Sequence, residues 1–152
     1  MNLREYLDQQ GVNYKVCHHQ PVFSSQELAA AEHVPGDHVI KPVVVRADGE
    51  WVMCALPATH RVDLNELRNQ LRADDVKLAD EQTLQRLFPE CQLGAEPPIG
   101  RLFGMPTLMD ESLTRDDVVT FQAGTHQDAI TMSLAEYRRI AQPEIAHFGR
   151  HT

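Results

Sequence analysis

The 152-residue sequence predicts an α+β domain whose mixed, largely antiparallel sheet carries helices packed against it. Three observations carry that expectation. The first is the stretch Asp37 to Pro57, DHVIKPVVVRADGEWVMCALP, with β-branched and apolar runs at Val39 to Val45 and Trp51 to Leu56. Between the runs, Asp48-Gly49 can supply the positive φ that a hairpin turn needs. The second is a set of short apolar-striped segments, each opened by a capping residue with a glutamate three positions on: Ser24 and Glu27, Asp63 and Glu66, Ser133 and Glu136. The third is a further strand pair, Val118 to Ala123 and Ala129 to Met132, turning through Gly124-Thr125-His126. Adjacent strand pairs read as hairpins rather than as strand–helix–strand units.

In chain order, Leu3, Tyr6 and Leu7 fall at helical spacing and Gly11 ends that helix. Val12 to Val16 alternates as a short strand, and His18-His19-Gln20-Pro21 is a loop. SQELAAAE forms the next helix, closed by Val34-Pro35-Gly36. After the central hairpin, Leu64, Leu67 and Leu71 make an apolar stripe, Val76 to Leu78 a brief strand, and Asp80 to Phe88 a helix stopped by Pro89. Glu90 to Pro106 is too rich in glycine and proline for a regular element. A loop so long and apolar is a structural crossover or the wall of a ligand site. Thr107 to Met109 is a strand running into the turn at Asp110-Glu111-Ser112. The last helix carries Leu134, Tyr137 and Ile140, and Pro143 follows it.

Composition narrows the function. The chain has the length of one domain, residues 1–152, with no repeat or linker. No apolar run approaches the roughly 20 residues that cross a bilayer, so no membrane partner is expected. The charged N-terminus MNLREYLDQQ lacks an export signal, and three widely spaced cysteines suit reduced thiols, so the expected setting is cytoplasmic. The net charge of −8 argues against a protein that holds DNA or RNA by its whole surface. A polyanion would have to be gripped locally, in a cleft. No phosphate loop, nucleophile elbow or paired zinc ligands occur, so neither metal nor cofactor is expected.

Lys41 is the residue that asks for an explanation. It sits among Val39, Ile40, Val43, Val44 and Val45, and strand alternation puts it on one face with Val39, Val43 and Val45. An ammonium there must reach water, find a partner or serve a ligand.

Four segments in this order match a known family: HVIKPVVV, ALPATHRVDL, the GxxxP stretch Gly94-Ala95-Glu96-Pro97-Pro98-Ile99-Gly100, and MPTLMDESL. A fifth, FQAGTHQDAITMS, matches the family's glycine-containing turn. With them the sequence resembles the YbaK/prolyl-tRNA synthetase-associated domain family, aminoacyl-tRNA deacylases that edit mischarged tRNA in trans. The resemblance implies a single domain with a barrel-like mixed sheet around a small acyl-group pocket. It implies hydrolysis of the ester of a tRNA mischarged with a small residue such as alanine, serine or cysteine, on tRNA-Pro or a related tRNA. The partners it implies are the acceptor end of aminoacyl-tRNA and an aminoacyl-tRNA synthetase. It makes Lys41 the catalytic residue and puts Gly94, Pro98, Gly100, Gly124 and His126 at the substrate. On this reading Val39 to Val45 pairs with Trp51 to Leu56, Lys41 lines a concave pocket, and Gly94 to Gly100 forms the opposite wall.

Pro42 departs from the family, where a small or polar residue usually follows the lysine. Proline removes a backbone donor, so the strand must be an edge or irregular there. Arg61, Arg68 and Arg72 offer a basic strip for the acceptor stem or simply a solvated helix face. Two alternatives to hydrolysis stand beside it: a binding module of the same fold without turnover, favoured by Pro42, and Schiff-base chemistry at Lys41.

Overall fold

A computed structural model describes residues 2–152. Its elements run α1 (Leu3–Gln9), β1 (Lys15–His18), α2 (Ser25–Ala31), β2 (Ile40–Ala47), β3 (Glu50–Pro57), β4 (His60–Val62), α3 (Leu64–Leu71), β5 (Val76–Leu78) and α4 (Glu81–Leu87). There follow β6 (Thr107–Asp110), β7 (Val118–Gln122), β8 (Asp128–Ser133), α5 (Leu134–Ala141), β9 (Glu144–Ala146) and β10 (Gly149–His151). Asp48 and Gly49 take φ of 47° and 88°, the left-handed pair that suits a two-residue hairpin loop. They close β2 onto β3 in a register running from Ile40 opposite Pro57 to Ala47 opposite Glu50. The Asp48 carboxylate also accepts from the Asp74 and Asp75 amides, at 3.1 and 2.8 Å, which ties the turn to the entry of β5.

Capping chemistry sets the helix starts. Ser24, Asp63, Asp80 and Ser133 each accept a backbone N–H from the first turn that follows. Each such cap contributes about 0.5–2 kcal/mol. Glu27 reaches back to the amide of Phe23 rather than to its cap Ser24, at 3.3 Å.

The strands form an open five-stranded sheet in the order β5-β2-β3-β6-β9, a three-stranded sheet β1-β8-β7 and a two-stranded ribbon β10-β4. The expected mixed α+β architecture is present, but its sheet is not a closed barrel. A single parallel bridge from Val39 to Thr120 joins the first two sheets. One half of the large sheet is antiparallel; in the other half β6 runs parallel to both β3 and β9. The sheet is mixed, as expected, but β3 to β6 is a parallel crossover through helices, which the reading of adjacent strands as hairpins did not include. The partner of β3 lies some fifty residues on, across α3, β5, α4 and the irregular loop, where local turn signals say nothing.

Each face of the large sheet buries its own core. On the even-numbered face of β2, Ile40 joins Ala55, Ile99, Met109, Val119, Phe121 and Ile130 against the second sheet, with α1 and α5 closing over them through Leu7, Tyr137 and Ile140. On the odd-numbered face, Val45 joins Cys54, Leu56, Leu67, Leu108 and Phe148 beneath α3. Burial in that layer pushes the Cys54 thiol up to about 12, so it acts as a small apolar side chain.

Three local differences follow from tertiary contacts. The first strand begins at Lys15 rather than Val12, because it pairs with β8 only from Lys15 opposite Thr131 onward. His18 therefore belongs to the strand and not to the loop. The ribbon strands β4 and β10 and the edge strand β9 carry no alternating pattern. They exist because Asp110, buried at 1% exposure, accepts the amides of Phe148 and Gly149 at 3.0 and 2.6 Å and pins the chain end to β6.

Candidate functional site

Between Lys41 and Val43, β2 pairs with β3 on one side and with no strand on the other, since the bridge to β7 is at Val39 and the contact toward β5 starts where Ala79 meets Val44. Val44 directs its carbonyl away from β3, accepting from Ala79 at 2.9 Å, so Pro42 two residues earlier points its ring nitrogen to the same free side. No ladder bond is lost there. The proline sits at an edge, as its chemistry requires.

Lys41 stands opposite Leu56 on the odd-numbered face and is half-buried. Its ammonium donates to the carbonyl of His60, the first residue of β4. Burial lowers its pKa below the ordinary lysine value. Around it Ser24, Ser25, Gln26 and Ala58 line an open hollow of about 250 Å³.

On the other side of the free edge three segments are laced together. Gln92 donates its amide to the Gly124 carbonyl and Gly124 its own to the Ala95 carbonyl, both at 2.8 Å. The His126 amide donates to Gln92 Oε1 at 2.8 Å, and the Val22 amide to the His126 carbonyl at 2.9 Å. Phe23 lies over His126 with ring centroids 4.9 Å apart. His126 Nδ1 is buried there without a hydrogen-bond partner. Gly94 has φ +88°, and a Cβ on it would sit 3.6 Å from His126 Cε1. Its amide is taken by Glu96 Oε1 at 3.1 Å.

Gly94, Gly124 and His126 are thus brought together. Pro98 and Gly100 are not: both are buried and engaged in packing. The Pro98 carbonyl accepts from the Tyr137 hydroxyl at 2.6 Å, and the Gly100 amide donates to Thr107 Oγ1 at 2.8 Å. A Cβ at Gly100 would come within 2.5 Å of the Met105 carbonyl oxygen, so this glycine answers a close backbone approach. The expectation that Lys41 faces the Gly94–Gly100 wall across one pocket is also corrected. Ile40 shares its core with Ile99, and Val44 and Pro42 share a hollow with Glu96, so the loop lies on the face opposite Lys41. The physical reason is the strand's period of two.

A model of the aminoacyl-tRNA editing domain matches residues 19–140. The chain belongs to that family. It is 27% identical over 153 residues to the multifunctional Ser/Thr-tRNA deacylase ProXp-y of Escherichia coli, covering 95% of this chain and 89% of the relative. It is 21% identical to the prolyl-tRNA editing protein ProX of Acetoanaerobium sticklandii, over 90% of this chain and 86% of that one. A proline–tRNA ligase of Leuconostoc citreum is 29% identical over 68% of this chain but only 18% of the ligase. The fold matches the crystal structure of a candidate trans-editing enzyme for prolyl tRNA synthetase with a TM-score of 0.86, at 18% identity and covering 97% of this chain and 94% of that one.

Within this editing domain the residue-by-residue reading missed the stretch that links the two sides of the edge. Phe23 packs tilted against His126 while Ser24 to Gln26 line the hollow of Lys41, so residues 22–26 run from one side to the other. The signal was a phenylalanine, 70% exposed, directly before a helix cap. Glu96, 4% exposed, was missed as well; a carboxylate inside an apolar Gly/Pro loop marks it.

Proposed function

We propose that the protein hydrolyses the ester of aminoacyl-tRNA carrying a small, mischarged amino acid, acting in trans as one unit over residues 1–152. The observation that carries the reading is the free edge of β2, with the Lys41 ammonium on one side and the Gly94–His126 cluster on the other. An acceptor end lying across that edge, along residues 22–26, would meet both. The compact cation of Lys41, held by the His60 carbonyl, suits the terminal phosphate. The ester carbonyl would lie toward Gly94, where a Cβ-free backbone lets amides approach a developing oxyanion. Water adds to the carbonyl carbon, the carbon–oxygen ester bond breaks, and the ribose oxygen leaves as a hydroxyl. The neighbouring ribose hydroxyl relays the proton, accepting one from the attacking water and passing its own to the leaving ribose oxygen, while Lys41 stays a donor and not the base.

The Ser/Thr-tRNA deacylase of E. coli supports a small substrate side chain. Likeness to a region of proline–tRNA ligases supports tRNA-Pro as one tRNA and a synthetase as a partner. Three cysteines, all free, support a cytoplasmic setting. A second reading, binding without turnover, draws on one observation: the Gly94 amide is already occupied by Glu96. A panel of Ser-, Ala-, Cys- and Thr-charged tRNAs, incubated with wild type and with Lys41→Ala, decides between them. Release of amino acid by the wild type alone supports hydrolysis. Tight binding of the same tRNAs without release supports the binding module.

A further inference from the structure

Arg61 on β4 stands directly opposite Arg150 on β10, at the centre of a ribbon only three residues long in each strand. Like charges directly opposite weaken a strand pair, and so short a ribbon has little pairing energy to spare. Arg68, one turn into α3, turns toward the same place and donates to Asn65 Oδ1. The three arginines line one open hollow of about 480 Å³. Its single carboxylate is Asp63, whose Oδ2 lies 2.7 Å from Arg150 and whose Oδ1 accepts the amides of Asn65 and Glu66. Among the described residues neither Arg61 nor Arg68 has a carboxylate partner. Three cations against one anion leave an excess of two positive charges, on a chain whose net charge is −8.

We propose that Arg61, Arg68 and Arg150 form a docking site for the phosphodiester backbone of an RNA acceptor stem. Planar guanidinium forks match phosphate oxygens two at a time, and a phosphate between Arg61 and Arg150 relieves the repulsion the ribbon carries. The site also joins the candidate catalytic residue. Lys41 donates to the carbonyl of His60, and Arg61 is the next residue along β4. At about 3.3 Å of rise per residue, the three-residue strand carries a backbone track from the lysine's anchor to the hollow in roughly 10 Å. Arg72, expected from the sequence to belong to the strip, does not line the hollow. It is the left-handed C-cap of α3, about 12 Å along the helix axis from its start. Arg150, near the chain end, takes the third place.

The identity of the RNA rests on the deacylase reading, so the test separates the two. Full-length wild type and an Arg61→Gln/Arg68→Gln variant, which keeps the Asp63–Arg150 pair, are titrated against an uncharged acceptor-stem minihelix over a salt series. Both are then assayed on charged tRNA and on a 3′-aminoacyl adenosine that lacks the stem. The expected result is at least tenfold weaker minihelix binding at low salt and a salt slope flatter by nearly two units. Hydrolysis of charged tRNA should fall while hydrolysis of the adenosine ester is kept. Equal affinity and slope for the two proteins, or a parallel loss on both esters, overturns the proposal. A wild type that binds the minihelix with the expected slope but cleaves neither ester overturns the deacylase reading alone.

Discussion

Lys41→Ala tests the most consequential side chain. It should remove most deacylation while moving Tm by little, because the residue is half-buried and its one partner, the His60 carbonyl, lies where water can replace the ammonium. Lys41→Arg should not restore activity, since a planar fork cannot take the place of a compact ammonium in a hollow of about 250 Å³. Rate measurements and thermal melts on the same three proteins check both statements; a wild-type rate in Lys41→Ala removes the lysine from the mechanism. Gly94→Ala should also slow hydrolysis. Here the obstacle is the backbone: φ of +88° disfavours any side chain, while the nearest atom at 3.6 Å leaves room for the methyl group itself. A substitution that lowers kcat and Tm together is therefore expected, in contrast to Lys41→Ala. At this scale the sequence was informative where chemistry is local. A lysine inside a β-branched run and a glycine inside an apolar loop both stand out. It was silent on Glu96 and on the two faces of β2, because which side of a sheet a distant loop covers is decided by topology and not by neighbours in the chain.

Among the elements, the hairpin and the capped helices were readable because each is encoded by adjacent residues. The parallel half of the large sheet and the ribbon were not, since both depend on partners far along the chain. Asp110 shows what such long-range structure costs to remove. Burial alone would raise its carboxyl, but the hydroxyl and amide of Ser112 and the amides of Phe148 and Gly149 outweigh burial and hold it below the ordinary aspartate range. A depressed folded-state pKa gives stability that is present above the unfolded value and is lost as pH falls through the folded one. Asp110→Asn should therefore cost about 1.5–3 kcal/mol near neutral pH, the worth of hydrogen bonds to a charged group. Its acid limb should also be flatter than that of the wild type. Denaturant melts at several acidic pH values measure this, and parallel acid limbs in the two proteins would remove Asp110 as the anchor. Gly149 cannot be replaced in the same design, because a Cβ there would lie 2.8 Å from the Asp110 carboxyl carbon.

Taken whole, the molecule is acidic, with a net charge of −8, so on the deacylase reading it would meet a polyanion only through a few cations in one region. Hydrolysis of a charged minihelix should proceed at nearly the rate found for full tRNA, with a shallow salt slope of about −2 from two or three phosphate contacts. A steep slope, or failure on the minihelix when full tRNA is cleaved, would instead require a partner to hold the tRNA body. The position of Thr152 bears on how any such experiment is built. Thr152 donates its amide and its hydroxyl to the Thr59 carbonyl, at 3.0 and 2.9 Å, next to the residue whose carbonyl anchors Lys41. Any chain continuing past Thr152, a purification handle or fusion partner included, would thus leave the surface beside the lysine and shade the approach to it. Moving the same handle to the other terminus should restore whatever activity it had masked.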